Sequence, residues 1–126
     1  MPIRLRLLAG EFAVCRLEPG SSLPAVPERA DFVSLTVTDQ EISLVTPADR
    51  CPPEARADRG WRALYAAGPM PFELTGVIAS LTGILAAAGL PVFVTSTFDG
   101  DVLLVRADSL DCAVSALEAA GHQVDR

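Results

Sequence analysis

The sequence predicts an α+β protein built from two small units, and three observations carry that expectation. Residues 61–126 read as strand, helix, strand, strand, helix, strand, the order of a split β-α-β unit. The first half instead carries short alternating apolar runs punctuated by Pro19, Pro24, Pro27, Pro47, Pro52 and Pro53. Half of the 126 residues (50%) are hydrophobic, enough for a sizeable core and too many for a disordered chain. The expected division is an abbreviated N-terminal unit over 1–59 and a regular C-terminal unit over 60–126.

Taken in order, Ile3–Leu8 and Phe12–Leu17 are β-prone runs on either side of Gly10, and Pro19-Gly20-Ser21-Ser22 is a turn. Phe32–Val37 and Ile42–Val45 alternate as the arms of a hairpin turning at Thr38-Asp39-Gln40-Glu41. Residues 47–59, rich in Pro, Ala and charge, form a short helix or a linker. Trp61–Ala66 is a strand ended by Gly68-Pro69 and Pro71, with Trp61 and Tyr65 serving either sheet packing or an oligomer face.

From Thr75 the apolar residues change to helical spacing. Val77, Ile78, Leu81, Ile84, Leu85 and Ala88 share a face, with Thr75 as N-cap and Gly89 at the C-terminal cap. Pro91–Phe98 is a β-branched strand answered by Val102–Val105 across the tight turn at Asp99-Gly100. Asp108 is expected to cap a helix that turns Leu110, Val114 and Leu117 inward, with Asp111 suiting its dipole. Gly121 stops that helix, and His122-Gln123-Val124 closes the sheet.

Charge and composition exclude several classes of function. The net charge is −6 and every basic residue is Arg, so the surface repels phosphate backbones and no nucleic-acid partner is expected. Without Lys there is neither Schiff-base chemistry nor the lysine of a phosphate loop. Cys15, Cys51 and Cys112 are widely spaced, with no C-x-x-C pair, and read as reduced thiols filling structure. A single His122 does not make a metal site. The N-terminus alternates like a strand and lacks the apolar core of a signal peptide, and no apolar run approaches the ~20 residues of a membrane span. The expectation is therefore a cytoplasmic protein with no membrane partner, no metal and no cofactor.

Three stretches carry a family resemblance: Gly60-Trp61-Arg62-Ala63-Leu64, Thr75-Gly76-Val77-Ile78-Ala79-Ser80-Leu81, and Ser96-Thr97-Phe98-Asp99-Gly100-Asp101-Val102-Leu103-Leu104-Val105. They resemble the ACT domain, and more narrowly the bacterial tandem-ACT proteins related to the cytosolic arginine sensors of animals. The upstream hairpin, Phe32–Thr36 with Glu41–Val45, is similar to the same proteins. The resemblance implies two ferredoxin-like (βαββαβ) ACT units, the N-terminal one abbreviated, and an amino-acid-binding regulatory module that holds its ligand where ACT units meet. By position it implies ligand contacts from Leu74, Thr75 and Gly76 on the loop, Ile78 and Ser80 on the helix, and Thr97, Phe98 and Asp101 at the hairpin. The chain is half the length of the animal sensors, which implies a homodimer that completes the interface.

The same residues make chemical sense. A free amino acid presents a carboxylate and an ammonium on one carbon, and so needs N–H donors beside an acceptor. Amides at a helix start attract the carboxylate, Gly76 permits close approach to the backbone, and Asp101 can pair with the ammonium. Taken alone these residues have plainer readings: Asp99-Gly100 is an ordinary hairpin turn, Asp101 a solvated turn aspartate, Thr75 a cap and Phe98 core. No Ser-His-Asp set, metal cluster or phosphate loop is visible, so a non-catalytic sensor is expected. The rivals are a small enzyme using Glu73 or Asp101 as a buried carboxylate, and a structural oligomerisation module without ligand.

Overall fold

The first strand of this protein belongs with the last. The computed structural model describes residues 2–67 and 76–126. Its elements run β1 (Arg4–Leu7), β2 (Phe12–Leu17), β3 (Ser34–Val37), β4 (Ile42–Pro47), β5 (Arg56–Ala66), α1 (Val77–Ala87), β6 (Val92–Ser96), β7 (Asp101–Arg106), α2 (Leu110–Ala119) and β8 (Gln123–Asp125). Two compact units result, Met1–Leu8 with Arg62–Arg126, and Ala9–Trp61. The sequence reading divides the chain at 59/60 and leaves the first strand with the N-terminal unit; in the structure β1 joins the C-terminal one.

Within that C-terminal unit β1 lies between β5 and β8. It runs antiparallel to β5, with Arg6 opposite Tyr65, and parallel to β8, with Leu5 opposite Val124. β7 pairs with both β5 and β6, so the strands follow the order β8-β1-β5-β7-β6. β8 therefore closes the sheet through β1, which local pattern cannot show.

Residue type explains each position. Arg4 and Arg6 are exposed while Leu5 between them is buried, the period-two pattern of a strand with one face on a core. Val102-Leu103-Leu104-Val105 is buried throughout, as suits a central strand covered on both faces. Leu5, Leu64, Leu81, Leu85, Leu103 and Leu117 have no exposed surface and form, with Val105, Ala113 and Val114, one apolar cluster against α1 and α2. Each buried leucine contributes roughly 1.5–3 kcal/mol relative to an exposed one.

Both helices end alike. After α1, Gly89 takes φ +76°, its N–H donates to Ala86 O (2.9 Å) and that of Leu90 to Leu85 O (3.0 Å). Gly121 and His122 repeat the arrangement after α2, on Glu118 and Leu117. Both are Schellman motifs, which require a residue tolerant of the left-handed region. The start of α2 differs from expectation. Asp108 lies in a 3-10 turn, Ala107–Ser109, and the N-cap position falls to Ser109, which makes no capping bond; its hydroxyl donates to Asp108 Oδ1 at 3.4 Å.

The Ala9–Trp61 unit is a sheet of order β3-β4-β2 with the first part of β5 beside β2. One buried cluster of this unit is Ala13, Cys15 and Leu44, flanked by Val33, Leu35, Ala48, Cys51 and Ala55; Phe12, Leu17, Ile42 and Val45 are buried as well. Residues 47–59 are neither of the two expected forms throughout, being a 3-10 turn at Ala48–Arg50 and then strand from Arg56. The unit contains no α-helix, which is the sense in which it is abbreviated. Trp61 is buried and serves packing, and Tyr65, half-buried in the other unit, carries the Arg6 guanidinium 5.5 Å over its ring.

Candidate functional site

A glycine begins α1. Gly76 occupies the N-cap position at φ +84°, a backbone conformation that costs a side-chain-bearing residue about 1–2 kcal/mol. As a glycine, Gly76 has no side chain to bond a first-turn amide; the first ladder bond is Ser80 N–H to Gly76 O at 2.8 Å. The amides of the first turn have no partner within the helix itself and carry the positive end of its dipole. Leu74 and Thr75, as well as Glu73 of the enzyme reading, lie outside the described residues.

The β6–β7 turn supplies the acceptor. Ser96 and Asp101 are directly opposed partners across it, and the Ser96 hydroxyl donates to Asp101 Oδ1 in a short hydrogen bond. Thr97 closes the loop, its N–H donating to Gly100 O at 2.8 Å and its hydroxyl to the same oxygen at 3.0 Å, while Gly100 N–H returns a bond to Thr97 Oγ1 at 3.2 Å. Phe98 stands at the tip with 77% of its surface exposed, against the plain expectation of a core residue.

Geometry brings these two features to one end of the unit. The 11 residues of α1 carry the chain away over about 16 Å, and the 5 residues of β6 return it over about 16 Å. Gly76 and the Ser96–Asp101 turn therefore share an edge. Ile78 and Ser80 are less alike: two residues apart on a helix they point about 200° from each other, and Ile78 is half-buried while Ser80 is exposed. The two describe opposite sides of α1.

Ser96, which the sequence reading passed over although it stands in the S-T-F-x-x-D segment, is bonded to the predicted site residue Asp101. His122 is also settled. It is buried, and Nδ1 accepts the Ile3 N–H at 2.9 Å, which places the ring proton on Nε2. Among the described residues no three His, Cys, Asp or Glu side chains gather as metal ligands. Two surface hollows, of about 200 and 460 Å³, lie in the Ala9–Trp61 unit, and no predicted site residue lines either.

Strands in the order β8-β1-β5-β7-β6 with α1 and α2 packed on them define a small α+β domain. A family model described as the ACT domain matches residues 56–119, and a separate N-terminal-domain model matches 10–54. The chain belongs to the ACT domain family. A mouse protein, the cytosolic arginine sensor for mTORC1 subunit 1, is 31% identical over 88 residues, 69% of this chain. That match spans about a quarter (26%) of the mouse protein's length. A solved structure from Agrobacterium tumefaciens is 40% identical and superposes with a TM-score of 0.90 over 98% of this chain and 92% of its own. The regulatory subunit of aspartate kinase from Thermus thermophilus shares the fold, at 13% identity and a TM-score of 0.64 over 93% of this chain and 97% of its own.

Proposed function

We propose that this chain is a non-catalytic regulatory protein that binds a free amino acid where the ACT units of two copies meet. The observation that supports the reading is the glycine-started helix at Gly76, at the same end of the unit as the Asp101 carboxylate. Donors beside an acceptor complement the carboxylate and ammonium of an amino acid. In this reading the ligand carboxylate rests on the amides after Gly76, with contacts also from Leu74 and Thr75, which precede it in sequence, and Asp101, oriented by Ser96, holds the ammonium. Thr97 shapes the turn and Phe98 covers the ligand; of Ile78 and Ser80, which lie on opposite sides of α1, only one can face a given ligand. The mouse relative is named as an arginine sensor, which supports a free amino acid as the class of ligand.

Pairing of two copies has its own support. The 11 residues of α1 include no charged side chain, and Ala79, Ser80, Gly83, Ala86 and Ala87 are exposed. A solvent-facing helix ordinarily presents a polar face. Among the described residues β6 pairs with β7 alone, and proteins usually cover such a sheet edge. The acidic net charge of −6 disfavours a nucleic-acid partner. Among the described residues no helix is long and apolar enough to cross a membrane, and the mouse relative is named as cytosolic, which supports work in the cytoplasm.

Thermal melting with each of the twenty amino acids tests the reading. A ligand of the folded state alone adds about 2.7 kcal/mol at a hundredfold excess over its Kd, so one or a few amino acids should raise the melting temperature in a concentration-dependent way. Light scattering on the same samples should give a dimer mass. A melting temperature that none of the twenty moves, or a monomer under every condition, overturns it.

A further inference from the structure

Cys15 and Cys51 are 36 residues apart in sequence, yet their sulfurs lie 2.8 Å from each other. Cys15 sits on β2, opposite Leu44 on one side and Ala57 on the other, with 1% of its surface exposed. Cys51 follows the 3-10 turn Ala48–Arg50 and is half-buried, its thiol also within 3.7 Å of Pro52 O. Both are free thiols. The remaining cysteine, Cys112, is exposed on α2 in the other unit.

We infer that Cys15 and Cys51 form a redox-active dithiol that closes to an intramolecular disulfide by exchange with a low-molecular-weight disulfide. The sulfurs need approach by less than about 1 Å to reach the ~2.05 Å of a disulfide bond. A structural zinc site takes four ligands, and no third His, Cys, Asp or Glu completes a metal-binding group here among the described residues.

The chemistry is that of thiol–disulfide exchange. Cys51, the accessible partner, attacks one sulfur of R–S–S–R as the thiolate; the S–S bond breaks, and R–S⁻ leaves and takes up the proton Cys51 lost. Cys15 then gives up its proton and attacks Cys51 Sγ, expelling the second R–S⁻, which is protonated in turn. The protein loses two electrons and two protons, and R–S–S–R becomes two R–SH. Burial and the Cys51 thiol push the Cys15 thiol up to about 12, so the second step waits until the mixed disulfide stands beside it. In a reducing compartment the pair rests as a dithiol.

The test uses the intact, reduced chain equilibrated with oxidised glutathione and then alkylated for mass spectrometry. The expected result is a Cys15–Cys51 linked peptide pair within a single chain, with only Cys112 outside that bond. The melting temperature should rise by roughly 5–15 °C through loop closure in the unfolded chain, and dithiothreitol should return it. The Cys112→Ser variant should behave identically. Cys15→Ser should instead trap a stable glutathione adduct on Cys51. Alkylation of Cys15 and Cys51 after equilibration, or disulfides that run only between chains through Cys112, overturns the inference.

Discussion

The backbone N–H of Ile3 donates to Nδ1 of His122 at 2.9 Å, a bond between residues 119 apart that fastens the start of β1 to the start of β8. Arg4 and Asp125 reinforce it further along the pair, Nε to Oδ2 at 2.8 Å, and this guanidinium holds the Asp125 carboxyl below the usual carboxylate range. His122 is buried, so its removal strands the Ile3 donor. His122→Ala should destabilise the protein by about 1–3 kcal/mol, and His122→Asn, which can present an acceptor oxygen near the same place, should recover part of that loss. Urea denaturation of the two variants checks it. An alanine variant as stable as the parent would show that the bond contributes nothing.

Gly76 and Gly89 stand at the two ends of α1 with positive φ, +84° and +76°, and in both cases an added Cβ meets nothing within 4 Å. The cost of alanine is thus backbone strain alone, about 1–2 kcal/mol at each. Equal destabilisation isolates the functional difference. Gly76→Ala should also weaken amino-acid binding, because the Cβ stands beside the first-turn amides, whereas Gly89→Ala should leave affinity unchanged. Chemical denaturation and calorimetric titration of both variants measure the two effects separately.

These residues also show what the sequence made legible. Gly89 and Gly121 were readable as helix stops because the apolar period ends just before each, and Phe12–Leu17 emerges as β2 with the expected bounds. β1 was recognisable as a strand, but its partners lie at Tyr65 and Val124, and pairing over such separations leaves no local mark. The first residues of β5, Arg56-Ala57-Asp58-Arg59, are exposed and polar, so no alternation announces them. Cys15 and Cys51 fail the same way, since only the fold brings them together. The turn from Ser96 to Asp101 was legible because hairpin residues are local in sequence; the Ser96 contact follows from register across that turn.

The Cys15 thiol gives the protein an alkaline limit. Its pKa is raised from 9.0 to about 12 by burial first and by the Cys51 hydrogen bond second. The unfolded chain loses this proton as pH passes about 9 while the folded chain keeps it, so stability is full below that point, falls as pH rises, and levels off near 12. Under reducing conditions, the stability difference between the parent and Cys15→Ala should therefore shift in favour of the variant from pH 9 upward. Melting curves across pH 7–11 that run parallel for the two proteins would contradict it.

The account rests on Asp101 as the acceptor for a ligand's ammonium, and isothermal titration of the parent, Asp101→Ala and Asp99→Ala with the twenty amino acids tests it most directly. Asp101 bonds to Ser96 at the start of β7, and Asp99 is exposed in the preceding turn. The parent should show saturable binding of at least one amino acid without turnover. Asp99→Ala should match it. Asp101→Ala should lose about 2–5 kcal/mol, some thirtyfold to several thousandfold in affinity, with little change in stability. Equal affinity in parent and Asp101→Ala, or no binding heat from any of the twenty in the parent, would contradict the central claim.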